Sequence, residues 1–177
     1  MRIRWIPTAA AAACLVALPP PSLSADGLVL VSDGVARTPI LVAPDAPPSA
    51  RQAADELAAA IESISGARPE VRAGAPAPPP EHALWVGVQP ALTGLLAGVS
   101  LAFEHPEEIL IVCDGRHAVV AGRDRFLGTN AVEHGTANAV YTFMQRHLGV
   151  RWLWPDELGR SVDRKSTRLN SSHIPLS

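Results

Sequence analysis

Two hydrophobic periods divide this chain. Residues 27–31, Gly-Leu-Val-Leu-Val, form an apolar run closed by the turn pair Asp33-Gly34. Residues 39–43, Pro-Ile-Leu-Val-Ala, form a second short run, and the two are placed to pair as an opening hairpin with a long loop. Prolines between 44 and 48 break the chain. The period then changes: Ala50, Ala54, Leu57, Ile61 and Ile64 recur at helical spacing, and Gly66 ends the pattern. Ser49 and Gln52 have the spacing of a capping box at the start of this helix. A short strand is predicted over 69–72, then an Ala/Pro/Gly-rich surface loop over 73–80.

Residues 83–88, Ala-Leu-Trp-Val-Gly-Val, are apolar almost throughout, which predicts a strand buried on both faces. One or two helical turns fit 90–97. Residues 107–112 and 117–121 predict antiparallel strands joined at Asp114-Gly115, and 122–128 a loop feeding the last helix. In that helix Ala137, Val140, Tyr141, Met144 and Leu148 share a face, and Gly149 stands where a positive φ commonly stops a helix. Val140, Tyr141, Met144 and Leu148 are expected to face the sheet. The strand Val150-Arg-Trp-Leu-Trp154 is expected to extend that sheet, with Pro155 ending it. Alternation puts Trp152 and Trp154 on one side of it, Arg151 and Leu153 on the other. These elements predict an α/β fold of the two-layer α+β kind, with a mixed sheet of about five to seven strands and two main helices packed on one face. The hairpins argue against a fully parallel, doubly wound sheet.

Both ends of the chain differ from its middle. Arg2 and Arg4, an apolar stretch over 6–18 and the small residues Ser22-Leu-Ser-Ala25 read as a secretory signal peptide over 1–25, which implies a secreted or periplasmic location. The stretch is too short and too broken by Pro for a membrane span. At the other end Lys165 is the only lysine, and composition changes abruptly at Asp163. Residues 163–177 resemble the conceptual translation of a sequencing adapter, a non-native tail; a natural Ser-rich linker is the alternative. Residues 26–162 remain, one domain's worth. They carry ten Arg against seven Asp and nine Glu, a net charge of −6. With no basic patch, nothing points to nucleic acid.

Candidate chemistry is sparse. Residues 122–128 lack both the G-x-G-x-x-G spacing and a G-K-[ST] ending, so no nucleotide cofactor is read. His82, His105, His117, His134 and His147 are scattered without metal-ligand spacing, so no metal site is read; His147 reads as a packed or capping residue near a helix end. Cys113, alone in the 26–162 span, reads as a buried thiol in an apolar strand. Glu104, Glu107, Glu108 and Glu133 are the acids in which a glycosidase pair could be sought, but adjacent loop acids are more often a solvated rim. Arg151, Trp152 and Trp154 stand as candidates for domain docking or sugar contact, with a plain core pair as the alternative.

The stretch from Gly135 to Gly159 also carries a resemblance. Gly135-Thr136, Ala139-Val140-Tyr141, Phe143, the run Leu148-Gly-Val-Arg-Trp-Leu-Trp-Pro155 and Glu157-Leu-Gly159 resemble the close of an N-terminal domain of secreted glycoside-hydrolase-like proteins. The group is the bacterial domain-of-unknown-function family 4838, related more distantly to the N-terminal domains of α-glucuronidases and family-20 β-hexosaminidases. Asp156 departs from it, standing where the family usually has Gly. The resemblance implies a non-catalytic accessory domain that supports and docks a downstream (β/α)8 barrel, where the family's catalytic carboxylates lie. A free-standing carbohydrate-binding module, with a polysaccharide or oligosaccharide as partner, is the alternative.

Overall fold

The computed structural model describes residues 27–96, 98–152 and 160–162. The expectations for the signal peptide, the 163–177 tail and Trp154 lie outside the described residues.

The opening hairpin is smaller than the one expected. Strands β1 (Val31–Ser32) and β2 (Val35–Ala36) pair with each other across Asp33-Gly34. Both turn residues have positive φ, 54° and 70°. That is the type I′ geometry, which matches strand twist and which Asp-Gly accepts readily. The run at 39–43 does not join this hairpin. As β3 (Ile40–Val42) it lies inside the main sheet, fully buried.

Helix α1 spans Pro48–Ser65 and begins differently from the expected capping box. Pro47 is the N-cap, without a side-chain cap bond, and Pro48 sits at the first helical position, where a missing N–H costs nothing. Ser49 Oγ instead meets His134 Nδ1 at 2.8 Å, and Gln52 donates to Glu56. Gly66 closes the helix at φ 80°, donating its N–H to Glu62 O. Ala50, Ala53, Ala54, Leu57, Ala58, Ala60 and Ile61 are buried, and a stripe this rich in alanine lets neighbouring backbones approach closely.

The chain continues through β4 (Val71–Ala73), β5 (Ala83–Val86), α2 (Leu92–Leu95), β6 (Ile109–Cys113) and β7 (His117–Gly122). The sheet order is β4-β3-β5-β7-β6. The first four strands are mutually parallel, and β6 closes one edge antiparallel to β7. The mixed α/β sheet is therefore as expected, with a more strongly parallel centre than the hairpins implied. Alternation divides its side chains cleanly. Ile40, Val42, Leu84, Val86, Ala118 and Val120 face one core, shared with α1 and α3 (Gly135–His147). Leu41, Ala83, Trp85, Val119 and Ala121 face a smaller core with Leu92 and Leu96, around α2. Cys113 is half-buried on the edge strand, not fully buried as expected.

Residues 122–134 are not a loop. Strands β8 (Asp124–Leu127) and β9 (Asn130–His134) form a hairpin with an irregularity at Arg125/Phe126. Its polar alternation, with Phe126 and Leu127 exposed, hid it from a search for apolar runs. Helix α3 buries Ala137, Ala139, Val140, Phe143 and Met144, and Leu148 just beyond it, while Tyr141 is only half-buried. Its buried arc is wider than the face expected because α3 packs against α1 as well as β6 and β7. Gly149 has φ 65°, as its place past the helix end requires. The strand after it does not extend the main sheet. β10 (Val150–Trp152) pairs antiparallel with β11 (Arg160–Val162) as a separate ribbon, and within β10 Val150 alone joins the core.

Candidate functional site

In an open α/β sheet a crevice forms at the carboxyl ends of the strands where successive connections leave in opposite directions. Here that point lies between β3 and β5. From β3 the chain runs through α1 to β4 on one side; from β5 it runs past α2 to β7 and β6 on the other side and over the opposite face. A cleft of about 320 Å³ opens there. The residues following the three central strands build it: Ala43 to Pro47 after β3, Gly87 and Val88 after β5, and Gly122 to Asp124 after β7. Leu101, Phe103, Phe126 and Thr136 complete the lining.

The cleft is firmly built. Arg51 pins the turn before α1, donating from Nε to Ala46 O at 3.0 Å and from Nη2 to Pro44 O at 2.6 Å. Buried Gln89 donates to Leu41 O at 3.0 Å, tying the chain after β5 to β3. The end of β7 is stitched to the first turn of α3. Gly135 N–H donates to Arg123 O at 3.0 Å and Thr136 N–H to Asp124 Oδ1 at 3.0 Å. Thr136 Oγ1 bonds both the N–H and the carbonyl of Gly122, at 3.2 Å each. Asp124 thus acts as a cap delivered from a neighbouring strand. The crossing is so close that a Cβ on Gly122 or Gly135 would overlap the other segment's backbone.

Beside the cleft, Glu133 carries an ion-pair cluster. Its Oε1 lies 2.7 Å from Arg125 Nε and its Oε2 3.3 Å from Arg123 Nε. The second contact is a charge pair without hydrogen-bond alignment, since Oε2 is buried and has no aligned donor. Arg123 also donates from Nη1 to Glu104 O.

None of the acids considered from the sequence lines the cleft. Glu104 and Glu107 are exposed. Glu108 accepts the backbone N–H groups of Glu104 and His105 at 2.8 and 3.1 Å, and those bonds hold its carboxyl below the ordinary range. Glu133 is committed to two arginines. No group of three His, Cys, Asp or Glu among the described residues is placed to hold a metal. Among those residues no carboxylate hydrogen-bonds the His134 ring, so its contact with Ser49 lacks the orienting acid of a triad.

The buried His117 and the half-buried His147 serve packing. Trp85 Nε1 donates to His117 Nδ1 at 3.3 Å, and burial pushes the His117 pKa down, partly offset by Asp114. His147 packs on Phe143 with ring centroids 5.2 Å apart; burial and then Arg146 push its pKa down.

Arg151 and Trp152 sit at the far end of α3 from the cleft. Arg151 is exposed. Trp152 is 38 % exposed and meets Tyr141 edge-on, with centroids 5.7 Å apart and planes at 87°. A plain core role therefore does not describe Trp152. Sequence reasoning missed the cleft residues Asp45, Gly87, Gly122, Asp124 and Thr136. A signal was present: a small residue stands at or just past the end of each of the three central strands, Ala43, Gly87 and Gly122. No family model matches the chain, and no curated protein matches it.

Proposed function

We propose that residues 26–162 form an accessory domain of a secreted or periplasmic carbohydrate-active enzyme of glycoside-hydrolase type. In this reading the domain supports and docks a downstream (β/α)8 catalytic domain and performs no glycoside cleavage itself. The observation that carries the docking role is Trp152. A half-exposed tryptophan, standing edge-on to Tyr141 on a ribbon outside the main sheet, is an anchor of the kind interfaces favour. The chemistry agrees, since Glu108 is committed to two backbone N–H groups and Glu133 to ion pairs with two arginines.

The test joins association to activity. The chain is expected to self-associate through the Trp152 patch, and Trp152→Ser to reduce that association in sedimentation while shifting Tm by at most a few degrees. It is expected to turn over no aryl glycoside, hexosaminide or glucuronide. Unfolding by Trp152→Ser overturns the docking role. Turnover that Glu104→Gln, Glu107→Gln, Glu108→Gln or Glu133→Gln abolishes overturns the accessory reading.

A further inference from the structure

The geometry points to the cleft between the carboxyl ends of β3 and β5 as a binding site for a small neutral saccharide. Its place is the position where open α/β sheets hold ligands. Its 320 Å³ lies at the lower end of the ~300–1,000 Å³ span of small-molecule sites.

The ligand class follows from what the lining leaves unspent. Val88, Leu101, Phe103 and Phe126 give an apolar wall, with Val88 and Phe126 39 % and 46 % exposed. The same lining holds the charged residues Asp45, Asp124 and Arg123. No donor among the described residues bonds the exposed Asp45 carboxylate. Asp124 commits Oδ1 to Thr136 and keeps Oδ2. Arg123 commits Nη1 to Glu104 O and turns Nε toward Glu133, keeping Nη2. Free acceptors therefore outnumber free donors, and the ligand must bring hydroxyl or amino hydrogens.

Charge narrows the class further. In the lining itself Asp45 and Asp124 stand against Arg123, one net negative charge, which disfavours phosphate and carboxylate ligands. The Arg123 guanidinium beside these carboxylates offsets part of their attraction for an amine. A purely apolar ligand would desolvate two carboxylates without pairing them. A sugar ring answers both kinds of lining residue, laying its C–H face on phenylalanine while its hydroxyls donate to Asp45 and Asp124. The walls are already fixed by Arg51, Gln89 and Thr136, so binding demands little ordering. Trp152 lies beyond the other end of α3, whose 13 residues span about 20 Å, so this site does not depend on the docking role.

The test titrates the full chain, labelled with ¹⁵N, with neutral methyl glycosides, glucuronate, glucosamine and inorganic phosphate. At least one neutral glycoside is expected to shift the amides of Gly87, Gly122 and Thr136 saturably. Asp45→Ala and Phe126→Ser, both at exposed positions, are expected to weaken that binding at least about tenfold with the remaining spectrum intact. Trp152→Ser is expected to leave it unchanged, so this site and the docking role fail separately. Absence of saturable shifts with every neutral glycoside overturns the proposal. So does tighter binding of phosphate, glucuronate or glucosamine than of any neutral glycoside, or affinity unaltered by Asp45→Ala.

Discussion

Helix α3 ends in two different ways. At its first turn Gly135 and Thr136 meet Gly122, Arg123 and Asp124 through backbone groups, one hydroxyl and one carboxylate. Toward its other end Tyr141 meets the Trp152 ring, Phe143 meets the His147 ring, and Leu148 and Val150 join the same apolar core. The first end is specified by the absence of side chains and by hydrogen-bond geometry; the second by bulk, and its outermost ring stays half in solvent. A junction with no spare volume tolerates no added atom, whereas a hydrophobic one loses stability in proportion to what is removed.

The largest effect is therefore expected from the smallest substitution. Gly135→Ala places a Cβ against the backbone of Arg123, which cannot move aside as a flexible side chain would. A loss of about 3 kcal/mol or more is expected in urea unfolding, at or beyond the upper end of overpacking penalties. Thr136→Ala, which removes atoms from the same junction, should cost clearly less. If Gly135→Ala unfolds at the wild-type midpoint, the two segments are not in contact and the contrast between the ends collapses.

Next comes Met144→Ala, which empties a fully buried position near the last turn. It should cost about 2–4 kcal/mol. Gly→Ala exceeding Met→Ala inverts the usual ranking by side-chain volume, which makes the pair a sharp test of the comparison.

The two ends also differed in how readily the sequence revealed them. Helical spacing marked α1 and, in α3, the buried Ala137, Val140 and Met144, because an apolar stripe repeats over many residues. Val150 and Trp152 were visible as a strand, but their partner was misassigned. A three-residue strand such as Val150-Arg151-Trp152 looks alike whether it extends a five-stranded sheet or pairs with β11. The capping box at Ser49 failed because Pro47 and Pro48 had already fixed the helix start, freeing Ser49 for His134. At the tight end the deciding features were a contact between two glycines thirteen positions apart and a cap supplied from another strand. No local period encodes either. Gly135-Thr136 drew notice only as part of the family-like run, and the geometry supplies the physical reason for both residues.

Removing the borrowed cap separates hydrogen bonding from packing at the tight end. Asp124→Ala leaves the Thr136 N–H without its acceptor and should cost about 1 kcal/mol, within the range for lost helix caps. Asp124→Asn, which keeps an oxygen acceptor, should recover most of it. Equal losses for both variants would mean that charge near the helix start, not the hydrogen bond, stabilises this turn.

The smallest effect is expected at the loose end, on acidification. His147 packs on Phe143, and burial holds its pKa below the ordinary 6.5. The unfolded chain then binds the proton more readily than the folded one. Stability is full above about pH 6.5 and falls as pH drops toward the depressed folded value, with no further loss below it. His117 acts in the same direction from the other core, so removing one histidine should reduce the slope without abolishing it. Glu108, whose pKa is lowered from 4.5, sheds its contribution only below that value, so the window between about pH 6.5 and 4.5 belongs to the histidines. The loss at His147 is modest because a cation at a helix C-terminus gains roughly 0.3–1 kcal/mol from the dipole, which offsets part of the burial penalty. His147→Gln should therefore flatten, but not erase, the fall in Tm across that window, while Asp124→Ala should leave the slope as it is. A slope untouched by His147→Gln would mean that the imidazole is solvated when folded, and that the last turn of α3 is more open than its contact with Phe143 requires.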